Sequence, residues 1–340
     1  MQIQENLSLK RFNTFGIDAR ARFFASFSSQ NELAALLSHV SRLTTHDPTL
    51  ILGGGSNILL TGNVDGLVLK NEIAGIEMVK EDDEFVYIRA GAGENWHRFV
   101  LYCIDHNYAG IENLSLIPGN TGASPMQNIG AYGVELKDVF HELTAFHLLD
   151  KSLVKFNAAD CAFGYRDSVF KNKYRNQFVI LTVVFKLRKQ PRFNTSYGAI
   201  AQELEKAGVQ ELSIKAISDA VIRIRSSKLP DPAVIGNAGS FFKNPQIDNE
   251  QFQQLKKTFP GIVAYPMEDG SAKLAAGWLI EQCGWKGYRK GDAGCHVHQA
   301  LVLVNYGNAG GKEIYDLSTA IVESVQDKFG VVLEREVNII

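Results

Sequence analysis

The stretch Ile51–Leu60, ILGGGSNILL, sets three consecutive glycines between two short apolar runs. Gly53, Gly54 and Gly55 carry no side chains, so their backbone amides can approach an anion closely, and Ser56 and Asn57 add further donors. The apolar run after Asn57 predicts another strand, whereas a Rossmann loop would lead into a long helix. These residues therefore indicate an anion-binding loop of another type, with a plain glycine turn as the alternative.

A second glycine-rich stretch, IPGNTGASPMQNIGAYG at residues 117–133, favours the anion-binding interpretation. Its glycines and amide side chains suit a loop that wraps a large polar ligand through backbone groups. Together the two stretches indicate a long, diphosphate-bearing ligand, and FAD fits. The residues expected to contact it are Gly53, Gly54, Gly55, Ser56, Asn57, Pro118, Gly119, Gly122, Ala123, Ser124, Asn128, Ile129, Gly130 and Tyr132.

Composition and charge exclude several classes of protein. The 340-residue chain carries a net charge of −2, so neither nucleic acid nor an anionic membrane is indicated as a partner. No apolar run approaches the roughly 18 residues of a transmembrane helix, and the first residues lack the apolar core of a signal peptide. The four cysteines form no CxxC pair. We therefore expect a cytoplasmic protein without a disulfide framework.

Two other glycine motifs compete as nucleotide sites. GNAGGKE at 307–313 resembles the end of a Walker A motif, but Tyr306 stands where the first glycine belongs and Glu313 replaces the Ser or Thr. AGAGENW at 90–96 follows a predicted strand and opens a predicted helix, as a Rossmann loop does. Trp96 replaces its third glycine, so a Rossmann site is not favoured here.

Cys295, His296 and His298 are possible metal ligands beside Cys283. Alternate residues of a strand point to opposite faces, so the two histidines share one side and Cys295 lies on the other. Since zinc normally has four convergent ligands, we predict no metal.

Hydrophobic periodicity predicts mixed α and β structure. Strands are expected at 50–52, 66–69, 85–90, 140–150, 152–156, 178–187, 300–306 and 331–337, and helices at 28–40, 95–107, 212–228, 248–257, 271–282 and 311–328. Residues 189–200 are expected to form a polar loop. The two prolines and two glycines of LPDPAVIGNAG predict the main domain boundary.

Six motifs in order carry a family resemblance: ILGGGSN, IPGNTGASPMQNIGAYG, CAFGYRDSVFK, KLPDPAVIGNAGSFFKNP, LAAGWLIEQCGWKG and LEREV. Together they resemble the UDP-N-acetylenolpyruvoylglucosamine reductase family over nearly the whole chain. The resemblance implies an α+β protein with the FAD-binding fold of the vanillyl-alcohol-oxidase/p-cresol-methylhydroxylase type, followed by a smaller α/β substrate-binding domain. We expect FAD-binding subdomains at 1–69 and 70–225, and a substrate domain at 226–340 whose last strand returns to the active site.

The resemblance also implies an activity: reduction of UDP-N-acetylglucosamine enolpyruvate to UDP-N-acetylmuramate by non-covalent FAD, with NADPH as reductant. Arg166 resembles the arginine that pairs with the substrate carboxylate, Ser240 the proton donor and Glu336 the catalytic carboxylate. The residues that resemble those holding the nucleotide sugar are Tyr165, Tyr197, Lys228, Asn244, Tyr265, Lys286 and Gln299. The loop with Tyr197 resembles the insertion of the longer (type I) subgroup. Asn338 and Ala123 depart from the commoner pattern, and a monomer is expected.

The chemistry suits these residue types. Hydride addition to an enolpyruvyl ether builds negative charge beside the carboxylate, which the forked donors of Arg166 can stabilise. The resulting enolate is basic enough to take a proton from a well-placed hydroxyl, and Lys228 or Asn244 could orient Ser240. A hydrolase nucleophile is not indicated, because Ser240 lies in no GxSxG elbow.

Purely structural roles for these residues also remain open from the sequence alone. Arg166 and Asp167 could form a surface ion pair, Glu336 could be a solvated edge residue, and Ser240 could simply begin a strand. Two other functions also remain. A flavin oxidase of the same fold would reoxidise rapidly with oxygen, and a nucleotide-sugar-binding module would be colourless.

Overall fold

The computed structural model describes residues 2–40 and 49–340, without the side chain of Val40. Its helices are α1 (Gln30–Val40), α2 (Trp96–Asp105), α3 (Ala158–Cys161), α4 (Gly198–Lys206), α5 (Ile214–Lys228), α6 (Asn249–Thr258), α7 (Ala276–Gln282) and α8 (Gly311–Phe329). None of the helices in this described part is long and apolar enough to cross a membrane.

The strands of the first half are β1 (Gln4–Ser8), β2 (Arg20–Phe27), β3 (Thr49–Leu52), β4 (Ile58–Leu59), β5 (Val64–Asn71), β6 (Ile76–Glu81), β7 (Phe85–Gly91), β8 (Gly130–Ala131), β9 (Val134–Glu135), β10 (Phe140–His147), β11 (Leu153–Asn157) and β12 (Phe178–Arg188). Those of the second half are β13 (Gly236–Ser240), β14 (Gln246–Ile247), β15 (Ala264–Pro266), β16 (Ala272–Leu274), β17 (Arg289–Lys290), β18 (Ala293–Cys295), β19 (Val302–Asn305) and β20 (Asn338–Ile339).

The chain divides into two units, each assembled from several segments. Unit 1 comprises Met1–Leu7, Ala21–Gly54 and Asp65–Ser227, and unit 2 comprises Ser8–Arg20, Gly55–Val64 and Lys228–Ile340. The main break lies between Ser227 and Lys228, two residues from the predicted start of the substrate domain. The three-part division of the sequence, whose first part includes the undescribed residues 41–48, stays a prediction.

Unit 1 is built on two sheets. One has the order β1-β2-β5-β3, with β3 parallel to β5, and the other is antiparallel with the order β11-β10-β12-β7-β6. The long strand β12 crosses the centre of the second sheet and is buried along most of its length. On one of its faces, Val183, Phe185 and Leu187 pack in the same core as Trp96 and Phe99 of α2. This core holds the end of β7 at Gly91 and the start of α2. Residues 117–133 are anchored by hydrogen bonds between these two points.

Unit 2 contains smaller sheets. Strands β13-β19-β18-β17 form one antiparallel sheet, β14-β16-β15 a second, and β20 pairs in parallel with β4. Phe241 and Phe242 follow β13 and are fully buried, with Phe241 edge-on to Phe15 at 6.2 Å between ring centroids. The two phenylalanines therefore belong to the core of unit 2.

The sequence was wrong at three elements. The helix predicted at 271–282 starts only at Ala276, because residues 272–274 form strand β16 instead. Residues 331–337 form no strand, although their alternating burial follows the prediction, with Val331, Leu333 and Val337 buried. Helix α4 occupies the end of the predicted polar loop, because its apolar face packs Ile200 and Leu204 against α5.

Candidate active site

The glycine loop is held by close backbone contacts on both sides. A Cβ on Gly54 would lie 2.8 Å from the Cα of Gly119 and 2.8 Å from Oδ1 of Asn120, so the two glycine-rich stretches touch within unit 1. Gly55 begins the unit 2 part of the loop, with φ +64° and with the Phe12 carbonyl where a Cβ would stand. Both positions therefore require glycine, for packing at Gly54 and for conformation at Gly55.

Gly54→Ala should raise the dissociation constant of FAD at least ~10-fold, because overpacking of about 1–3 kcal/mol must be relieved by separating the two stretches. Flavin fluorescence quenching on titration into the apoprotein measures this. Gly62→Ala is the control, since its Cβ would meet nothing within 4 Å. Unchanged FAD affinity of Gly54→Ala would show that the contact at Gly119 does not shape the cofactor site.

The stretch 117–133 contains a 3-10 helix, Thr121–Gln127. This helix ends at Asn128, whose backbone is in the left-handed region with φ 44°. The Ser124 hydroxyl donates to the Thr121 carbonyl, and the Asn128 amide donates to Glu135 and to the Gly164 carbonyl. Both side chains are buried. They hold the loop in shape, and their direct contact with FAD stays a prediction.

Arg166 contacts this loop from a tight turn. Its φ is 53°, and residues Gly164 and Asp167 on either side of it form a β-bridge. One guanidinium nitrogen donates to the Gly130 carbonyl at 2.5 Å. The Asp167 carboxylate accepts instead from the Ser168 amide and from Asn172. A strained, non-glycine backbone at a predicted ligand-binding arginine is typical of functional sites.

Arg225 lies beside this turn and was not singled out from the sequence. Its Nε donates to the Leu116 carbonyl at 3.1 Å, and its guanidinium lies close to the Tyr132 hydroxyl. Burial lowers the pKa of Arg225, and the charge of Arg166 lowers it further. Among the described residues, no carboxylate forms an ion pair with Arg225. Two neighbouring arginines of this kind favour an anionic ligand.

His97 and Tyr197 complete the surroundings in unit 1. His97 Nδ1 accepts from the Leu116 amide at 3.0 Å, and burial, followed by the charge of Arg225, lowers its pKa. Tyr197 lies edge-on to Tyr132 at 5.2 Å between ring centroids and is 44% exposed. Asn194, three residues before it, donates to the Gly133 carbonyl. The loop with Tyr197 thus rests on the end of the 117–133 stretch.

Ser240 ends β13 after an irregularity in the strand. The register against β19 shifts between Asn237 and Ser240, and Gly239 there has φ +71°. The Asn237 side chain accepts from the Gly239 amide and so fixes this bulge. Bulges re-aim side chains next to active sites. Among the described residues, no group is hydrogen-bonded to the Ser240 hydroxyl.

Glu336 is brought beside Ser240 by backbone hydrogen bonds within unit 2. Its amide donates to the Phe241 carbonyl at 2.8 Å, and the Lys243 amide donates to the Glu334 carbonyl. The Asn57 side chain donates to the Glu336 carbonyl at 3.3 Å. Asn338, where an arginine is commoner, donates to the Asn57 carbonyl. Ser240, Glu336 and the end of the glycine loop therefore belong to one local structure.

The other predicted substrate residues have varied surroundings. Asn244 caps α7 by accepting from the Ala276 amide, and the Gln299 side chain accepts from the Leu301 amide. Lys286 pairs with Glu281 at 2.9 Å. Three more are at least partly exposed, namely Tyr165, Lys228 and Tyr265. Neither Lys228 nor Asn244 is hydrogen-bonded to Ser240, so the suggestion that one of them orients it has no support.

The two histidines of unit 2 lie close together. The rings of His296 and His298 are 5.5 Å apart, on the same side as predicted. His296 Nδ1 is buried and has no hydrogen-bond partner among the residues that the structure describes, and burial lowers the pKa of this imidazole. No group of three His, Cys, Asp or Glu in the described ranges could hold a metal ion.

Two family descriptions match the chain, one in its first half and one in its last third. Residues 21–152 match the family described as FAD binding domain. Residues 231–340 match UDP-N-acetylenolpyruvoylglucosamine reductase, C-terminal domain. These matches confirm the order of domains inferred from the sequence motifs.

Full-length relatives carry the same description. The chain is 53% identical over 340 residues to UDP-N-acetylenolpyruvoylglucosamine reductase of Amoebophilus asiaticus, with 100% of both chains covered. It is 50% identical over 341 residues to that of Flavobacterium johnsoniae, again with 100% of both covered. A crystal structure of the reductase from Thermus caldophilus shares the fold, with a TM-score of 0.68, 24% identity and coverage of 100% of this chain and 99% of that one. The chain belongs to the UDP-N-acetylenolpyruvoylglucosamine reductase family.

Proposed function

We propose that the chain reduces UDP-N-acetylglucosamine enolpyruvate to UDP-N-acetylmuramate, using FAD and NADPH, in peptidoglycan precursor synthesis. The observation that carries the proposal is the 53% identity to a reductase of that name over the whole of both chains. The match of residues 21–152 to an FAD binding domain supports the cofactor. Both the activity and FAD agree with the expectation from the sequence.

The residues present fit FAD. The backbones of Gly54 and Gly119 lie in direct contact because neither residue carries a side chain, and a bare backbone of this kind suits the approach of a diphosphate. Arg166 and Arg225 bring positive charge beside Tyr132, at the far end of the same loop. Bound FAD supplies the hydride chemistry, and the protein supplies binding, orientation and the proton.

Arg166 binds the carboxylate of the enolpyruvyl group in this proposal. Charge that develops on the neighbouring carbon spreads into that carboxylate, and a forked guanidinium stabilises it more in the transition state than in the ground state. Its bond to the Gly130 carbonyl fixes one side of the fork in advance. Arg225 adds a second positive charge next to it, which increases the preference for an anion.

Ser240 donates the proton in this proposal, and Glu336 is the catalytic carboxylate next to it. The bulge at Gly239 aims the Ser240 hydroxyl, and the Glu336 amide is fixed to the Phe241 carbonyl. The hydroxyl stays available because the described residues provide no hydrogen-bond partner for it. The nucleotide sugar is assigned to Tyr165, Tyr197, Lys228, Asn244, Tyr265, Lys286 and Gln299.

A spectrum of the purified protein, followed by anaerobic addition of NADPH and then of the enolpyruvyl substrate, tests this function. We expect a flavin band that bleaches with NADPH and returns with the substrate. A colourless protein would support a nucleotide-sugar-binding module. A flavin that reoxidised rapidly with oxygen and ignored the substrate would support an oxidase of the same fold.

The flavin should be bound without a covalent link. Neither Gly53–Asn57 nor residues 117–133 contains a histidine or cysteine that could form one. Acid precipitation should therefore release all the flavin into the supernatant, where its absorbance is measured. Flavin that stayed with the precipitate after washing would contradict this prediction.

The remaining assignments concern location and assembly. We propose a cytoplasmic monomer that acts on a small-molecule UDP-sugar substrate, in agreement with the expectations stated from the sequence. Light scattering on the purified holoprotein tests the monomer directly.

A further inference from the structure

Lys70 lies behind the glycine loop. It is near the end of β5, directly opposite Leu52 of β3 in the parallel pair. Its Nζ donates to the Gly53 carbonyl oxygen at 2.7 Å. All of these residues belong to unit 1. An ammonium group therefore contacts the backbone of the stretch that is expected to approach a diphosphate.

The charge of Lys70 has no direct counterpart in the protein. The side chain is partly buried, and no carboxylate among the described residues forms an ion pair with it. Burial lowers the pKa of Lys70, and only Glu72, acting at a distance, opposes this. A desolvated cation without a counterion is unfavourable unless an anion is supplied.

The bond to Lys70 also fixes the orientation of a peptide group. The described residues contain no cis peptide, so the carbonyl of Gly53 and the amide N–H of Gly54 point in opposite directions. With the carbonyl held by Lys70, the Gly54 N–H points away from β5. No protein acceptor for this N–H is found within the described ranges. Gly54 is also where the loop touches Gly119 and Asn120.

We propose that Lys70 is a positioning residue for the diphosphate of FAD: it turns the Gly54 N–H toward the phosphates and compensates part of their charge. This rests on the proposed function in so far as FAD is the ligand of the glycine loop. The arrangement explains why a lysine directly follows the buried apolar run at residues 67–69 of β5. In the absence of FAD the charge is a cost, and in its presence the charge is paired.

Titration of FAD into apoprotein tests the proposal, with flavin fluorescence as the readout. Lys70→Met keeps most of the stem but loses the charge, and should raise the dissociation constant at least ~10-fold, as expected for a charge-assisted contact. The increase of that constant with salt should also become less steep. Lys70→Arg should recover part of the affinity. Lys206→Met, which removes an exposed charge from the last turn of α4, is the matched control and should change neither quantity.

Thermal unfolding of the apoprotein separates this role from a purely structural one. The midpoint of apo Lys70→Met should be equal to or higher than that of the wild type, because an uncompensated charge is removed. A lower apo midpoint with unchanged FAD affinity would overturn the proposal and leave Lys70 as a support of the loop. If the wild type itself bound no FAD, the proposed function would fail instead, so the two failures are distinct.

Discussion

Ser240→Ala is expected to bind FAD, to be reduced by NADPH at close to the wild-type rate, and then to stall with the enolpyruvyl substrate. The stall should be on the order of 10²-fold or more, the range that a positioned general acid supplies. Anaerobic stopped-flow on the flavin band measures the two half-reactions separately. The first requires only that NADPH reach the flavin, whereas the second requires a proton for the enolate.

The structure makes this substitution a clean probe. None of the described residues is hydrogen-bonded to the Ser240 hydroxyl, so its removal should not disturb the fold. The bulge depends on Gly239 and Asn237, and the backbone bonds of Phe241 remain. Ser240→Cys retains a transferable proton and should recover part of the rate. If Ser240→Ala slowed only the NADPH half-reaction, or neither, Ser240 would be no more than the end of β13.

Arg166→Lys is expected to lower substrate reduction at least ~10²-fold, because the positive charge remains while the two-pronged contact with the carboxylate is lost. One guanidinium nitrogen of Arg166 already donates to the Gly130 carbonyl, so a lysine ammonium would have to replace this bond as well as the contact with the carboxylate. The effect should appear in kcat/KM for the enolpyruvyl substrate. Flavin reduction by NADPH should change much less.

Arg223→Lys is the matched control for that substitution. Arg223 lies on α5 and pairs with Glu203 at 2.7 Å, so the same chemical change there should leave turnover within about two-fold. Near-normal turnover of Arg166→Lys would remove Arg166 from the mechanism. Loss of flavin from this variant would instead assign the residue to cofactor binding through the 117–133 loop.

The sequence predicted most of what periodicity and glycine chemistry determine. Strand β12 and helix α2 were recognised because their apolar faces are regular, and the contact of Gly54 with Gly119 agrees with one ligand for two glycine-rich stretches. The strand prediction at 331–337 was wrong although the burial of this segment alternates as in a strand. Its backbone hydrogen bonds to residues 241–243 are too few to form a continuous ladder. Alternation reports which side is buried, not whether a ladder forms.

Two cations near the predicted ligand sites, Arg225 and Lys70, belong to tertiary contacts. Arg225 stands four residues after Val221 on the buried face of α5, a position where a charge is unusual, and this spacing was the available signal. Lys70 ends a run of apolar residues and gave no sign of its partner. That partner, the Gly53 carbonyl, is a backbone atom that only the pairing of β3 with β5 brings near. Such tertiary contacts have no local pattern.

The parallel pairing of β20 with β4 has a consequence for synthesis of the chain. The Thr61 hydroxyl and amide both donate to the Ile340 carbonyl, 279 residues later, and Asn57 is tied to Glu336 and Asn338 by similar bonds. At about 5–20 residues per second, roughly 15 to 55 s separate the emergence of the two partners from the ribosome. The short strand after the glycine loop must wait that long with unpaired edge groups, a state that invites association with other chains. Residues 55–61 are therefore where we expect a chaperone to be needed until residues 336–340 have been synthesised.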